Sequence, residues 1–124
     1  MDTNRLFALR GATLCRNEAV DIEMQVSSLY DAMRSANGIA ETDTVSLIFS
    51  VTPDLTAQNP AAALRKSGRG AELSLFCAAE PVVENSLPGV VRILWHCYLP
   101  LDHIPRHVYR NGAEVLRPDR ENKA

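Results

Sequence analysis

Ile22, Val26, Leu29 and Met33 follow one another at spacings of four, three and four, which sets four apolar side chains on one stripe of a helix. Asn17 reads as the N-cap of that helix, with Glu18 and Asp21 placed where a carboxylate favours the helix dipole. Gly38, after Asn37, reads as the left-handed residue that ends it. The spacing therefore predicts a helix over residues 18–36, with Asp21, Glu23, Gln25, Ser27 and Asp31 turned to water. The remaining apolar segments are mostly short and rich in strand formers. One long helix can cover only one face of the sheet they make, so the other face needs a cover, and a second subunit is the natural one.

The strands and turns are placed by punctuation. Arg5 to Ala12 reads as a first strand ending at Gly11. Val45 to Val51, VSLIFSV, reads as a buried strand and is broken by Thr52-Pro53-Asp54. Asn59 caps a short helix with Pro60 at its first position, and that helix stops at Gly68. Glu72 to Ala79 is a third strand, and Pro81 to Gly89 a loop. Val90 to Leu99 is the longest strand, with Asp102–Ile104 a short turn. His107–Tyr109 and Ala113–Leu116 follow as short tail strands about a turn at Asn111-Gly112. Residues 120–124 are polar and expected to fray. The pattern predicts a single domain over 1–124 of the α+β class, a mixed β-sheet packed by one long and one short helix.

Charge narrows the partners. A net charge of −2 argues against a nucleic-acid binder that works through phosphate contacts. Of the thirteen basic residues eleven are Arg, Lys66 and Lys123 being the exceptions. Arg binds carboxylates with two parallel bonds and stays charged when partly buried, so the bias hints at a small anionic ligand. Cys15, Cys77 and Cys97 are far apart and odd in number, which gives no disulfide framework and fits a reducing, cytoplasmic setting. No stretch approaches the length of a membrane span, and the first thirteen residues hold no signal-type apolar core.

Few residues are candidates for chemistry. His96, His103 and His107 lack metal-ligand spacing, so no metal is expected, and His96 reads as a satisfied structural histidine. A Cys77–His107 nucleophile pair is conceivable, but no cysteine-hydrolase signature surrounds Cys77, and LSLFCAAE favours a buried structural thiol. There is no phosphate-binding loop. What remains is arginine in unusual places: Arg10 before Gly11, Arg65 on the short helix, Arg92 inside an apolar strand, and Arg106, Arg110 and Arg117 in the tail. Arg92 shares its strand face with Leu94 and lies between Val91 and Ile93. A charge there needs a partner or a ligand, and Glu80, ending the preceding strand, is the one at hand.

Taken in order, Arg10-Gly11-Ala12-Thr13, then Thr52-Pro53-Asp54-Leu55 with Pro60-Ala61 and Arg65, then Cys77 with Glu80, Arg92, Arg106-His107-Val108-Tyr109 and finally Val115-Leu116-Arg117-Pro118-Asp119 resemble the small monofunctional bacterial chorismate mutases. The resemblance runs from about Arg5 to Asp119. It implies a homotrimer built as a pseudo-α/β barrel, with active sites between subunits, and the cofactor-free Claisen rearrangement of chorismate to prephenate on the way to phenylalanine and tyrosine. It further implies that Arg92 meets the ether oxygen and a carboxylate. Arg10 and Tyr109 would take the enolpyruvyl carboxylate, and Glu80 the ring hydroxyl with Cys77 near it. Arg65 and Arg117 would attract the anion at the mouth. Leu75, Phe76 and Leu116 are further substrate contacts on this pattern. Asn59 and Ala62 fall at contact positions too, but depart from the family's aromatic residue and lysine. Two other classes would use the same residues: a binding protein without catalysis, and a mutase for an amino-substituted chorismate.

Overall fold

The computed structural model describes residues 3–117. Five strands and two helices follow in the order β1 (Asn4–Leu14), α1 (Ala19–Asn37), β2 (Thr44–Val51), α2 (Pro60–Lys66), β3 (Leu75–Ala79), β4 (Val90–Pro100) and β5 (Val108–Arg110). The strands form one mixed sheet in the order β3-β2-β4-β1-β5. β4 runs antiparallel to both β1 and β2, while β3 and β5 join in parallel at the two edges. The mixed sheet with one long and one short helix is the α+β arrangement expected. The frayed tail expected at 120–124 lies outside the described residues.

Alternation in β4 decides which face is which. Val91, Ile93, Trp95, Cys97 and Leu99 are buried against the helices, while Arg92, Leu94, His96 and Tyr98 point the other way. The helical stripe Ile22, Val26, Leu29 and Met33 closes over the first set, each such side chain contributing about 2 kcal/mol by leaving water. Tyr30 stacks on Trp95 at 4.7 Å between ring centroids, and the Trp95 indole N–H donates to Thr44 at 3.1 Å. α1 lies so close to β1 that a Cβ on Gly11 would come within 2.4 Å of Met33 Sδ.

Several expectations fail in instructive ways. β1 continues past Gly11 to Leu14, because the glycine there answers to the helix above it and not to a turn. Asn17 does not cap α1: Glu18 holds the N-cap position without a side-chain bond. The Asn17 carboxamide oxygen instead accepts from the Thr56 and Ala57 N–H groups, both at 2.8 Å. Asp21 is buried, not solvated, and accepts from the Arg16 N–H at 2.7 Å and from Gln25 at 3.2 Å. It thus serves the incoming backbone from inside the first turn. Ser27 is buried as well. β2 is buried on one face only, since Leu47 and Phe49 are enclosed but Val45 and Ile48 are exposed. β3 begins at Leu75, after a turn that takes up Glu72, and Ala113–Leu116 is a turn of 3₁₀ helix, not a strand. That turn packs Ala113 and Leu116 with Ala12 and Val90, so it covers one end of the sheet face that the helices leave open.

The Asn59 cap holds, its side chain accepting from the Ala61 and Ala62 N–H groups at 2.8 and 3.2 Å. Thr52-Pro53-Asp54 also has a structural role. Thr52 receives the Val90 N–H at 3.0 Å and returns its own N–H to the Val90 carbonyl at 3.0 Å, which ties the end of β2 to the start of β4.

Candidate active site

On the open face, residues paired across the sheet stand side by side. One row runs Phe76, Ile48, Leu94 and Arg10; the next runs Ala78, Ser50, Arg92 and Ala12, with Tyr109 beside Ala12 on β5. Between these rows lies a cavity of ≈ 280 Å³ walled by Arg10, Ile48, Ser50, Arg92, Leu94 and Tyr109. Its floor is apolar and its rim carries two guanidinium groups. A larger hollow at the far end of the sheet is lined by Thr3, Thr42, Asp43 and Tyr98 among others, with no cation, and so has nothing to hold an anion.

The charged part of the site is built on main-chain pairing. The Glu80 N–H donates to the Val51 carbonyl at 2.8 Å, which extends the β2–β3 pairing by one residue and brings the carboxylate over Ser50. Arg92 Nε then donates to Glu80 Oε2 at 2.9 Å, the partnership expected for a cation inside an apolar strand. With the Arg92 side chain 42% exposed, the pair is worth at most about 1 kcal/mol. A ligand with its own negative charge can therefore compete for the guanidinium at little cost. Arg10 offers a second cation, and its side chain has no hydrogen-bond partner among the described residues. The Arg10 N–H donates to His107 Nδ1 at 3.0 Å, so the approach to β5 is fastened to β1 where Arg10 projects. Two arginines against one glutamate leave the cavity with an excess of positive charge, suited to a small dianion.

The other site expectations separate by position. Leu116 packs with the cluster that includes Tyr109, and Arg117 follows the same turn. Phe76 continues the apolar row beside Ile48. Leu75 and Cys77 lie on the opposite face, against the core, and burial pushes the Cys77 thiol up from its ordinary value. One chain does not bring Cys77 and His107 together, because β3 and β5 are opposite edges of the sheet. α2, with Asn59, Ala62 and Arg65, packs on the helical side of the sheet, so one chain does not bring those three residues to the cavity. Asn59 is committed to its cap, and Arg65 Nη2 reaches only the Leu73 carbonyl, at 3.4 Å. Arg110, grouped with the tail arginines, is used internally, donating to Gln25 Oε1 at 2.7 Å and Thr13 Oγ1 at 3.1 Å. No group of three metal-ligating side chains occurs among the described residues. His96 is satisfied by Ser46 at 3.1 Å.

One site residue escaped the sequence reading. Ser50 donates to Glu80 Oε2 at 2.6 Å; its signal was the alternation of Ser46, Ile48 and Ser50 with Leu47 and Phe49. His107, part of the motif order that carries the resemblance, receives the Arg10 N–H on Nδ1.

The chain is similar to known proteins in both sequence and fold. The sequence matches the family described as chorismate mutase type I over residues 6–120. It is 38% identical over 118 residues to the chorismate mutase AroH of Thermus thermophilus, covering 92% of this chain and 95% of that one. To the AroH of Bacillus subtilis strain 168 it is 32% identical over 114 residues, covering 90% and 89%. The fold matches the solved structure of a chorismate mutase from Clostridium thermocellum with a TM-score of 0.79 and 38% identity, covering 88% of this chain and 98% of that one.

Proposed function

We infer the function from one premise: this chain belongs to the chorismate mutase type I family. It is an isomerase that rearranges chorismate to prephenate. Chorismate carries two carboxylates, an ether oxygen and a ring hydroxyl. Its enolpyruvyl arm must fold over the ring before the new carbon–carbon bond forms, and charge separates as the ether bond breaks. A site that holds the folded form and places fixed cations at the ether oxygen lowers the barrier on both counts.

The observation that carries this reading is the guanidinium of Arg92, held by Glu80 at the edge of an apolar cavity with Arg10 and Tyr109 on the facing side. On this reading Arg92 donates to the ether oxygen and a carboxylate, and Arg10 and Tyr109 bind the enolpyruvyl carboxylate. Glu80 accepts from the ring hydroxyl. Any part played by Cys77 comes through its main chain, since its thiol packs with the core. No cofactor is needed.

The proposed assembly is a homotrimer with active sites between subunits. Two features support it. The open sheet face carries the exposed apolar side chains Leu6, Ile48, Phe76 and Tyr98. In addition, Asn59, Ala62 and Arg65 lie behind the sheet of their own chain, so they can serve a cavity only on a neighbouring subunit. Arg117, which follows Leu116 at the end of the turn that packs with Tyr109, attracts the anion at the mouth. The free thiols of Cys15, Cys77 and Cys97 fit a cytoplasmic enzyme.

The test is chorismate consumption by the purified protein without added metal or nucleotide, beside Arg92→Ala. Loss of one such donor typically raises the barrier by about 3–4 kcal/mol, roughly a hundred- to a thousandfold in rate. Turnover by Arg92→Ala within a few-fold of the parent would remove Arg92 from the mechanism.

A further inference from the structure

We propose that Ser50 is a positioning residue that aims Glu80 at the substrate's ring hydroxyl and so sets the enzyme's preference for hydroxylated substrate. The proposal rests on the reading that Glu80 accepts from that hydroxyl. Both bonds to the Glu80 carboxylate end on the same oxygen: Ser50 Oγ donates to Oε2 at 2.6 Å and Arg92 Nε donates to it at 2.9 Å. Oε1 has no hydrogen bond among the described residues, which leaves it as the oxygen to accept the hydrogen bond of the substrate hydroxyl.

The two donors are not equivalent. Arg92 has a long side chain, 42% exposed, and the reaction calls it toward the ether oxygen. Ser50 has a single rotatable bond to its hydroxyl carbon, stands on β2 directly opposite Arg92 and lines the same cavity. Arg92 divides its donors between Glu80 and the substrate, whereas the Ser50 hydroxyl is given to Glu80 alone. The Glu80 main chain is fixed to Val51, the next residue of β2, at 2.8 Å. The carboxylate is thus referred to one strand at both its ends. A short, charge-assisted O–H···O⁻ bond of this kind is strong enough to fix a rotamer.

The experiment compares chorismate with its analogue lacking the ring hydroxyl, using the intact enzyme and the variants Ser50→Ala, Ser50→Thr and Glu80→Gln. Ser50→Ala is expected to lower kcat/KM for chorismate by about ten- to a hundredfold, the range for a hydrogen bond to a charged group, while changing kcat/KM for the deoxy analogue less than about threefold. The preference for chorismate then collapses, and Ser50→Thr, which keeps a hydroxyl on a strand-compatible side chain, restores it. Equal losses on both substrates would mean a merely structural role and would overturn the proposal, as would an unchanged preference in Ser50→Ala. Glu80→Gln separates the layers. If it abolishes the preference and Ser50→Ala does not, Ser50 alone is wrongly assigned. If Glu80→Gln leaves the preference intact, the hydroxyl reading of Glu80 fails and the Ser50 proposal fails with it.

Discussion

At the residue scale, the run Arg10-Gly11-Ala12-Thr13 shows how densely one strand can be constrained. Arg10 faces the cavity, Gly11 admits Met33, Ala12 is enclosed under the Ala113 turn, and Thr13 takes a bond from Arg110. The pairing of Arg92 with Glu80 was legible because a charge amid Val91 and Ile93 demands a partner. Ser50 was not, because a serine on a strand carries no comparable demand until its neighbours are known. The same limit applies to Cys77: three residues before Glu80 in sequence, its side chain emerges on the other face of the sheet. The fork of Arg92 makes a sharp prediction. Its Nε is engaged by Glu80, which leaves the Nη groups for substrate. A lysine offers a single point charge on a flexible stem and cannot serve both partners at once. Arg92→Lys is therefore expected to lose at least about a hundredfold in kcat, with KM changing far less, in steady-state assays. A lysine variant of near-parental kcat would show that charge alone suffices.

At the element scale, the sequence located nearly every helix and strand, while the joints between them were invisible. Asn37 is the clearest case. Read as the residue before the Gly38 cap, it is buried and holds the tail to the end of α1. Its amide nitrogen donates to the Arg106 carbonyl at 2.9 Å and its oxygen accepts the Arg106 N–H at 3.0 Å and bonds His103 Nε2 at 2.9 Å. This segment leads directly into β5 and Tyr109. Asn37→Ala leaves several part-buried polar groups unpaired and is expected to cost about 1–3 kcal/mol of stability, read as a lower urea midpoint, together with a loss of activity from a loosened Tyr109. Full activity at lowered stability would uncouple the joint from the site. Acid sensitivity is also set at the joints. Burial opposes ionisation of Asp21, yet the Arg16 N–H, the Gln25 amide and the Arg16 guanidinium outweigh it and hold the carboxyl below its ordinary range. Asp54 is likewise lowered against its burial, by Thr52 and the Gly89 N–H, and Asp31 is lowered chiefly by the hydrogen bonds from Arg69. Each folded-state value lies below the unfolded one, so the unfolded chain binds more protons in that interval. The stabilisation is fully present above the ordinary aspartate value, about pH 4, and is lost as pH falls below it. Urea midpoints are expected to be flat from about pH 7 to 5 and to drop toward pH 3. Asp21→Asn should start lower and drop less, and an acid limb identical to the parent's would clear Asp21 of the effect.

At the scale of the whole molecule, the sheet has helices on one face and, apart from the 113–116 turn, none on the other. The helix count foretold that imbalance, but the wrong inference about β2 says more. VSLIFSV reads as a buried strand, yet Val45 and Ile48 are 47% and 37% exposed in one chain. If three copies enclose their open faces together, the sequence pattern was describing burial in the assembly, and a single chain is the wrong unit in which to look for it. The same logic explains why Arg65 and the cavity belong to one motif order yet lie on opposite sides of one sheet. Tyr98 tests this without touching the chemistry. It projects from β4 on the open face, two rows beyond Leu94, with Leu6 opposite it. A carboxylate there is soluble on a monomer but costly inside an apolar interface. Tyr98→Asp is expected to convert a trimer to monomers in native mass measurements, to keep its secondary structure, and to lose activity by about tenfold or more because no neighbour supplies α2. Raising its concentration should recover part of that activity by mass action. A Tyr98→Asp monomer with parental turnover would mean that one chain holds a complete site, and the role given to Arg65 across the subunit boundary would have to be withdrawn.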